Sequence, residues 1–287
     1  MDDLDAHADL PAHRTGERRL SSRRRAPERL AGLVDSHAHL QHARFDADRD
    51  AVIDRAAEAG IERILVPGWD VASSEAALEL AARHAPLVEA AVGVHPHHAA
   101  GLDEAGWARL EALAADASVR AIGEIGLDHY RDHSPRDVQR DVLERQLELA
   151  ARRGLPILVH DREAHDAIAD LLLAWAPRSS RSVRGVLHAF SGDRAMAERL
   201  GEAGFFVSFA LPVAFRSAAG PRAAATALAA GEFLVETDAP YLGPDRALRN
   251  EPTTALRVVA ELARLRGESA EALVGPLRAA YARLAGD

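Results

Sequence analysis

The sequence predicts a (β/α)8 barrel, and three observations support this fold class. From Leu33 onward, eight short apolar runs recur about every 25–35 residues, a spacing typical of repeated βα units. The segments between them are rich in Ala, Leu, Arg and Glu, and their apolar residues repeat with helical period. No linker rich in Pro, Gly or Ser divides this region. We therefore expect one barrel domain over residues 32–287.

Predicted strands and helices alternate along the barrel region. The strands are expected at residues 33–36, 63–67, 88–94, 120–125, 156–160, 185–190, 205–209 and 233–237. The helices are expected at residues 49–58, 73–83, 104–114, 136–152, 163–174, 194–202 and 222–229, with further helices from Glu251 to the end. A doubly wound open sheet would normally carry a Gly-rich phosphate-binding turn after its first strand. Asp35-Ser-His-Ala-His39 stands there instead, which favours the barrel.

The composition excludes several classes of chemistry. Cys is absent, which excludes disulfides, thiolate zinc sites and a cysteine nucleophile. Lysine is absent as well, so all 35 residues counted as Lys or Arg are arginines. Schiff-base catalysis and a carboxylated bridging lysine are thereby excluded, and a site with two metal ions must be bridged by Glu or Asp. The net charge of −9 gives no general attraction for polyanions, so nucleic-acid binding would need a local basic patch or a metal site.

The sequence also gives expectations about location. No run approaches the ~20 apolar residues of a membrane span. Arg23, Arg24 and Arg25 lack the apolar stretch that follows the arginine pair of an export signal. We therefore expect residues 1–31 to be a solvated, disordered extension. The protein is expected to be cytoplasmic, and no stable protein partner is inferred.

Polar side chains lie at the strand ends where barrel enzymes carry their active sites. His37 and His39 close the first strand, two residues apart and therefore on the same side of it. Glu124 lies in an apolar strand between Gly123 and Gly126, where a bare carboxylate would be costly unless it is paired or binds a metal. We expect the two glycines to leave room for a metal and a substrate.

Three later strands end in the same way. His160 and His188 close the fifth and sixth strands, and Asp238 follows the eighth. Taken singly, each residue has an ordinary explanation: a surface histidine pair, a salt-bridged Glu or a satisfied core histidine. Their joint occurrence at strand ends predicts a metal site. The predicted ligands are His37, His39, Glu124, His160, His188 and Asp238.

The ligand types suggest two divalent cations and a metal-activated water. Glu124 would bridge ions that lie about 3.5–4 Å apart in such sites. One ion would be bound by His37, His39 and Asp238, and the other by His160 and His188. A water between the ions would ionise near neutral pH, and Asp238 would accept its proton. Glu124 and Asp238 are thus the predicted catalytic residues, with Mg²⁺, Mn²⁺ or Zn²⁺ as candidate ions.

The order of these motifs resembles that of the TatD family of metal-dependent deoxyribonucleases, within the amidohydrolase-like barrels. The resemblance covers residues 33–287 and rests on Asp35-Ser-His37-Ala-His39-Leu, Gly93-Val-His95-Pro-His97, Gly123-Glu124-Ile-Gly126-Leu-Asp128, His160-Asp-Arg162, His188-Ala-Phe190-Ser-Gly192, Glu236-Thr-Asp238-Ala-Pro240-Tyr241-Leu and Arg249-Asn250-Glu-Pro252. It implies a TIM barrel, divalent metals, the same six ligands and hydrolysis of phosphodiester bonds, often in DNA. A 3′-5′ exonuclease direction is implied by the resemblance alone.

Three residues are candidate substrate contacts. The resemblance suggests a phosphate or substrate contact for His95, although a histidine in a Pro-anchored turn fits the position equally well. Arg162 would clamp a phosphate oxygen or form a salt bridge at the barrel mouth. Arg249 is a candidate phosphate ligand.

Other positions carry weaker expectations. Asp128 and Tyr130 are expected to support the site or to contact substrate, whereas His97 and His98 are expected at the surface. Residues 243–250 depart from the family pattern, because a segment that usually contains His-Arg-Gly is shorter here and lacks histidine. This loop borders the substrate side, so the preference among nucleic-acid substrates is left open.

The leading hypothesis is a nuclease or phosphodiesterase whose substrate is DNA or another phosphodiester. The acidic net charge favours short or single-stranded ends over processive duplex binding. The alternative is an amidohydrolase that cleaves an amide or an ester, such as an aminoacyl-tRNA ester, because the same site would polarise a carbonyl. A non-catalytic barrel is a third hypothesis, but its hallmark would be a missing ligand, and all six are present.

Overall fold

Eight parallel strands pair in sequence order in the computed structural model, which describes residues 26–245 and 248–286. The strands are β1 (Leu33–Asp35), β2 (Ile61–Pro67), β3 (Val88–Val92), β4 (Val119–Asp128), β5 (Ile157–Arg162), β6 (Gly185–Leu187), β7 (Phe205–Phe209) and β8 (Phe233–Val235). The helices are α1 (Arg49–Glu58), α2 (Val71–His84), α3 (Glu104–Leu113), α4 (Arg136–Arg153), α5 (His165–Trp175), α6 (Arg194–Glu202), α7 (Ala219–Ala227), α8 (Ala255–Arg266) and α9 (Ala270–Ala285). This is the predicted (β/α)8 barrel.

Backbone contacts just beyond β1 and β8 bring the two outermost strands of the sheet together. The Asp238 N–H donates to His37 O at 2.9 Å, and the His39 N–H donates to Ala239 O at 2.6 Å. Ala38 and Ala239 form a parallel bridge at the same place. The contacts therefore hold three of the predicted ligands side by side.

Side chains alternate between the barrel interior and the surrounding helices, as the period of two in a strand requires. Each strand contributes one buried apolar residue to an inner cluster, namely Val34, Leu65, Ala91, Ala121, Leu158, Val186, Phe206 and Leu234. Three buried residues of α9 join this cluster, and the Tyr281 hydroxyl donates to Glu89 Oε2 at 2.6 Å. Helix α9 thus covers one end of the barrel, and the strands end in polar residues at the other.

The predicted elements agree closely with the observed ones, and the differences have local causes. Strand β4 continues three residues beyond its predicted end and takes Asp128 into the sheet, where Asp128 is in register with Arg162. Helix α7 begins at Ala219 rather than at residue 222. Pro221 lies in the first turn of this helix, where a missing N–H costs no intrahelical hydrogen bond.

The glycines that flank Glu124 do not have the role expected from the sequence. A Cβ on Gly126, whose φ is +152°, would lie 1.9 Å from His160 O. A Cβ on Gly123 would lie 2.5 Å from Leu158 Cβ. The expectation that these glycines leave room for metal and substrate is therefore wrong, because the space is filled by β5. They allow β4 and β5 to approach closely enough to place Glu124 beside His160.

The N-terminal extension expected at residues 1–31 falls mainly on residues 1–25, which lie outside the described residues. Of the remainder, Leu30 is buried, and its N–H donates to Ala59 O at 2.9 Å. No helix in the described part of the chain is long and apolar enough to cross a membrane.

Candidate functional site

The six predicted ligands lie together at the carboxyl ends of the strands, with Glu124 at the centre of the group. All six side chains are buried, although they come from five different strand ends. Three groups of side chains each place one potential ligand atom per residue within 4.8 Å of the others. The groups are His37, Glu124 and His188; His37, His39 and Asp238; and His95, Glu124 and His160.

One side of the Glu124 carboxylate faces the histidine pair that follows β1. Glu124 Oε2 lies 3.3 Å from His37 Nε2 and 3.4 Å from His39 Nε2. The two imidazole nitrogens are 3.2 Å apart. Asp238 Oδ1 lies 3.8 Å from His37 Nε2 and 3.6 Å from His39 Nε2. Four potential ligand atoms therefore face one small space.

The other carboxylate oxygen faces His160 in β5 and His188, which directly follows β6. Glu124 Oε1 lies 2.8 Å from His188 Nε2 and 3.1 Å from His160 Nδ1. His160 Nδ1 and His188 Nε2 are 3.2 Å apart. The two oxygens of one carboxylate thus face two different sets of imidazoles, which is the arrangement that a bridging carboxylate requires.

The donor set fits divalent cations. Glu124 Oε2 and Asp238 Oδ1 are buried and have no hydrogen-bond partner among the described residues. A buried carboxylate oxygen without a partner is costly, and a cation would satisfy it. Imidazole and carboxylate ligands together suit zinc, manganese and similar ions.

The pKa shifts of the buried groups indicate that the site stabilises bound positive charge. Burial disfavours the charged form of Glu124, but the imidazoles of His188 and His95 outweigh burial and hold the pKa of this carboxyl well below its usual value. Burial also opposes charge on His188, yet the Glu124 carboxylate raises the pKa of this imidazole well above its usual value. Burial raises the pKa of Asp238 to about 7 and, with the charge of His188, lowers the pKa of His37 to about 4.

Asp128 supports the site, as the sequence suggested. Its Oδ2 lies 3.3 Å from His160 Nε2 and 2.7 Å from His97 Nε2. The carboxylate therefore orients His160 so that the other ring nitrogen faces Glu124. The expectation of a surface position for His97 is wrong, because only 5% of its side chain is exposed. Asp128, which the extension of β4 takes into the sheet, pairs with His97 Nε2 and covers it.

His95 contacts the site and also forms the turn that the sequence suggested. Its Nε2 lies 3.4 Å from Glu124 Oε1, and its Nδ1 accepts the His97 N–H at 3.1 Å. The ring centroids of His95 and His160 are 4.4 Å apart. The substrate contact proposed for His95 stays a prediction. The geometry places the His95 side chain next to Glu124, at the site where a substrate would bind.

The two candidate arginines have different surroundings. The guanidinium carbon of Arg162 lies 4.5 Å from the centre of the Tyr130 ring at the barrel mouth. Arg249 contacts Asp48 Oδ1 at 2.6 Å and Glu251 Oε1 at 2.9 Å. A phosphate at Arg249 would compete with both carboxylates, and its role as a phosphate ligand stays a prediction. Residues 246 and 247, in the loop that departs from the family pattern, lie outside the described residues.

Sequence reasoning missed several residues that hold the ligands in place. Glu236 Oε1 lies 3.5 Å from His188 Nδ1 and accepts the Ala189 N–H at 2.6 Å. Asp35 accepts hydrogen bonds from the Thr237 N–H at 2.9 Å and the Thr237 hydroxyl at 2.5 Å. The available signal was spacing, because Asp35 and Glu236 each lie two residues before a predicted ligand.

Trp69 was also missed. It follows β2, and its ring centroid lies 5.4 Å from that of His39 in an edge-on contact. A single tryptophan after a strand does not by itself indicate a functional site. Only the packed barrel shows that Trp69 lies next to His39.

Known proteins resemble this chain over most of its length. The sequence profile of a family described as TatD related DNase matches residues 34–285. A Bacillus subtilis protein named uncharacterized metal-dependent hydrolase YabD is 36% identical over 236 residues, which are 82% of this chain and 91% of that protein. The Erwinia tasmaniensis protein named 3'-5' ssDNA/RNA exonuclease TatD is 36% identical over 245 residues, 83% of this chain and 93% of the relative.

The fold is shared with a solved structure of similar length. The crystal structure of YJJV, a TatD homolog from Escherichia coli K12, superposes with a TM-score of 0.82 and is 32% identical in sequence. The match covers 90% of this chain and 99% of the other.

Proposed function

The chain belongs to the TatD-related DNase family, and from this premise we propose that it is a metal-dependent nuclease that hydrolyses phosphodiester bonds at the Glu124 site. The observation that carries the proposal is the division of the Glu124 carboxylate between two sets of imidazoles. This division supports a binuclear centre over a single structural ion. The relative named as an exonuclease acting on ssDNA and RNA supports single-stranded nucleic acid as the substrate class and 3′-5′ as the direction.

The proposed ligand sets follow the two carboxylate oxygens. His37, His39 and Asp238 would share one Mg²⁺, Mn²⁺ or Zn²⁺ with Glu124 Oε2, and His160 and His188 would share a second with Oε1. Such cations supply Lewis-acid activation of water and neutralisation of phosphoryl charge. Asp128 and Glu236 hold the rings of His160 and His188 in orientation, so the site is organised before substrate binds.

Asp238 is the proposed proton acceptor. Its Oδ1 is buried, has no hydrogen-bond partner among the described residues and faces the space between His37 and His39. A water that attacks phosphorus from this space would lie within hydrogen-bond reach of Oδ1, which would take its proton. The backbone hydrogen bond from the Asp238 N–H to His37 O fixes the carboxylate relative to the histidine pair.

The first test is release of nucleotides from a 3′-labelled single-stranded DNA. Protein stripped with EDTA would be assayed alone and after separate addition of Mg²⁺, Mn²⁺ or Zn²⁺. We expect cleavage only with metal, and a loss of at least about 100-fold in Glu124→Gln and His160→Ala, since each removes a proposed ligand. His84→Ala is the matched control, because His84 pairs with Asp50 on the helical layer instead of contacting Glu124.

Two results would contradict the proposal. Full activity of Glu124→Gln would exclude the bridging role. The second is tight metal binding without cleavage of DNA or RNA by any metal form, together with hydrolysis of an ester or amide. This result would identify the protein as an amidohydrolase instead of a nuclease.

A further inference from the structure

Tyr130 lies in the turn after β4, two residues beyond Asp128, which contacts the proposed ligand His160. We propose that Tyr130, together with Arg162, is a stacking platform for a nucleobase of a single-stranded nucleic acid whose scissile phosphodiester lies at the Glu124 site. This inference rests on the proposed nuclease function and specifies how the substrate is held. It assigns a binding role to side chains outside the ligand set.

The exposure of Tyr130 is unusual among the large hydrophobic residues that the structure describes. Among the described residues, only Tyr130 and Leu248 are large hydrophobic side chains with substantial exposure, and 42% of Tyr130 is accessible. The other two tyrosines are buried. An exposed aromatic ring that follows a strand carrying a catalytic ligand is available to a base, and base–aromatic stacking is how proteins bind single strands without reading their sequence.

Hydrogen bonds to Asp128 fix the backbone turn that carries Tyr130. Asp128 Oδ1 accepts the N–H groups of Tyr130 at 2.9 Å and Arg131 at 2.8 Å. The second oxygen of the same carboxylate contacts His160 Nε2 at 3.3 Å. One carboxylate thus links the turn that carries Tyr130 to a proposed metal ligand. A base stacked on this ring would be held at a defined distance from the metal centre.

Arginine side chains give the platform positive charge. The guanidinium carbon of Arg162 lies 4.5 Å from the Tyr130 ring centre, and that of Arg131 lies 5.4 Å away. Both guanidinium groups would attract the backbone of a single strand, and their planes can extend the stacking surface. In a chain of net charge −9, these two guanidinium groups are the local positive charges on which the platform relies.

The strand geometry places the platform close to His160, a proposed metal ligand. Arg162 lies two residues beyond His160 in β5, on the same side of the strand and about 7 Å further towards solvent. The His129 N–H donates to Arg162 O at 2.9 Å, so the ends of β4 and β5 stay paired up to the turn. The platform would therefore hold a base next to the scissile linkage, outside the ligand shell.

The test measures binding of metal-loaded protein to a fluorescent single-stranded DNA whose phosphorothioate linkages resist cleavage. We expect Tyr130→Ala and Tyr130→Leu to bind about 5- to 100-fold more weakly, and Tyr130→Phe to stay within about 2-fold of the unchanged protein. The leucine variant separates stacking from simple apolar contact. Thermal melts would establish that each variant is folded.

A second arm replaces single nucleotides near the 3′ end by abasic ones. At one position this replacement should weaken binding by the unchanged protein and by Tyr130→Phe, but not by Tyr130→Ala, because the stacking partner is already gone. Equal binding by Tyr130→Ala and the unchanged protein would overturn the inference. It would also be overturned if the abasic replacement weakened binding equally in these two proteins. Absence of binding by the unchanged protein would overturn it as well.

The two proposals fail in different ways. The unchanged protein could bind the oligonucleotide but release no nucleotides from a cleavable one with any metal. The nuclease function would then fail, while the binding of the Tyr130 variants would still show whether the platform exists. If cleavage occurs and the Tyr130 variants bind normally, only the platform fails.

Discussion

Glu124 shows how one residue sets the chemistry of the site at the residue scale. Its two oxygens face different imidazoles because β4 places the side chain between the strand ends that carry His37 and His160. A chain without lysine has no carboxylated lysine to bridge two ions, so a buried Glu or Asp must take this role. The sequence could propose Glu124 as the bridging residue for that reason, but it could not show which oxygen faces which histidines.

A histidine just beyond the ligands gives a prediction about pH. His165 Nδ1 contacts Asp161 Oδ2 at 2.7 Å, and this interaction raises the pKa of His165 above its usual value of 6.5. Because the folded pKa is the higher one, the stabilisation is fully present below pH 6.5 and is lost as pH rises through the folded pKa.

We expect His165→Gln to lower the melting temperature at pH 5.5 and to have a smaller effect at pH 8.5. The side chain is 39% exposed, so the difference should stay below about 1 kcal/mol, or a few degrees. Thermal melts of both proteins at the two pH values would measure it. A difference in melting temperature that is constant, or that grows with pH, would contradict the raised pKa assigned to His165 beside Asp161.

At the scale of elements, the approach of β4 to β5 decides where the ligands lie. Gly126 is the critical position, since its φ of +152° and the 1.9 Å distance from an added Cβ to His160 O leave no space for a side chain. The same backbone oxygen belongs to a proposed ligand, so a shift of β5 would also displace the His160 ring.

We expect Gly126→Ala to destabilise the protein by about 3–5 kcal/mol and to reduce metal binding. Gly201→Ala is a matched control inside α6, where an added Cβ meets nothing within 4 Å. It should stabilise the helix by up to about 1 kcal/mol. Chemical denaturation would measure both, and similar values for the two variants would exclude the packing argument.

At the scale of the whole molecule, metal binding and folding are coupled. The proposed ligands come from strands that span the chain from His37 to Asp238, so the complete site exists only when the barrel is closed. Cations that bind the folded state and not the unfolded chain must therefore raise stability.

We expect the EDTA-treated protein to melt at a lower temperature than protein with Mn²⁺ or Zn²⁺. At 100 times the dissociation constant the gain is about 2.7 kcal/mol, which corresponds to roughly 5–10 °C for a domain of this size. Glu124→Gln should lose most of this shift in differential scanning calorimetry. An equal shift in the variant would place the ions elsewhere.

The sequence by itself determined the alternation of strands and helices and proposed the strand-end ligands that the structure brings together. Both are local properties, since an apolar run gives a strand, and a polar residue at its carboxyl end falls at the active face of any barrel. His37 and His39 also share a side because of their spacing of two.

Only the tertiary structure decided which side chains support the proposed ligands. It also decided which backbone segments the glycines allow to approach each other. His97 is buried against Asp128, Arg249 is paired with Asp48, and Gly126 lies against His160. Each of these contacts joins residues that are tens or hundreds of positions apart. Their distances depend on strand register and barrel closure, which local sequence patterns do not specify.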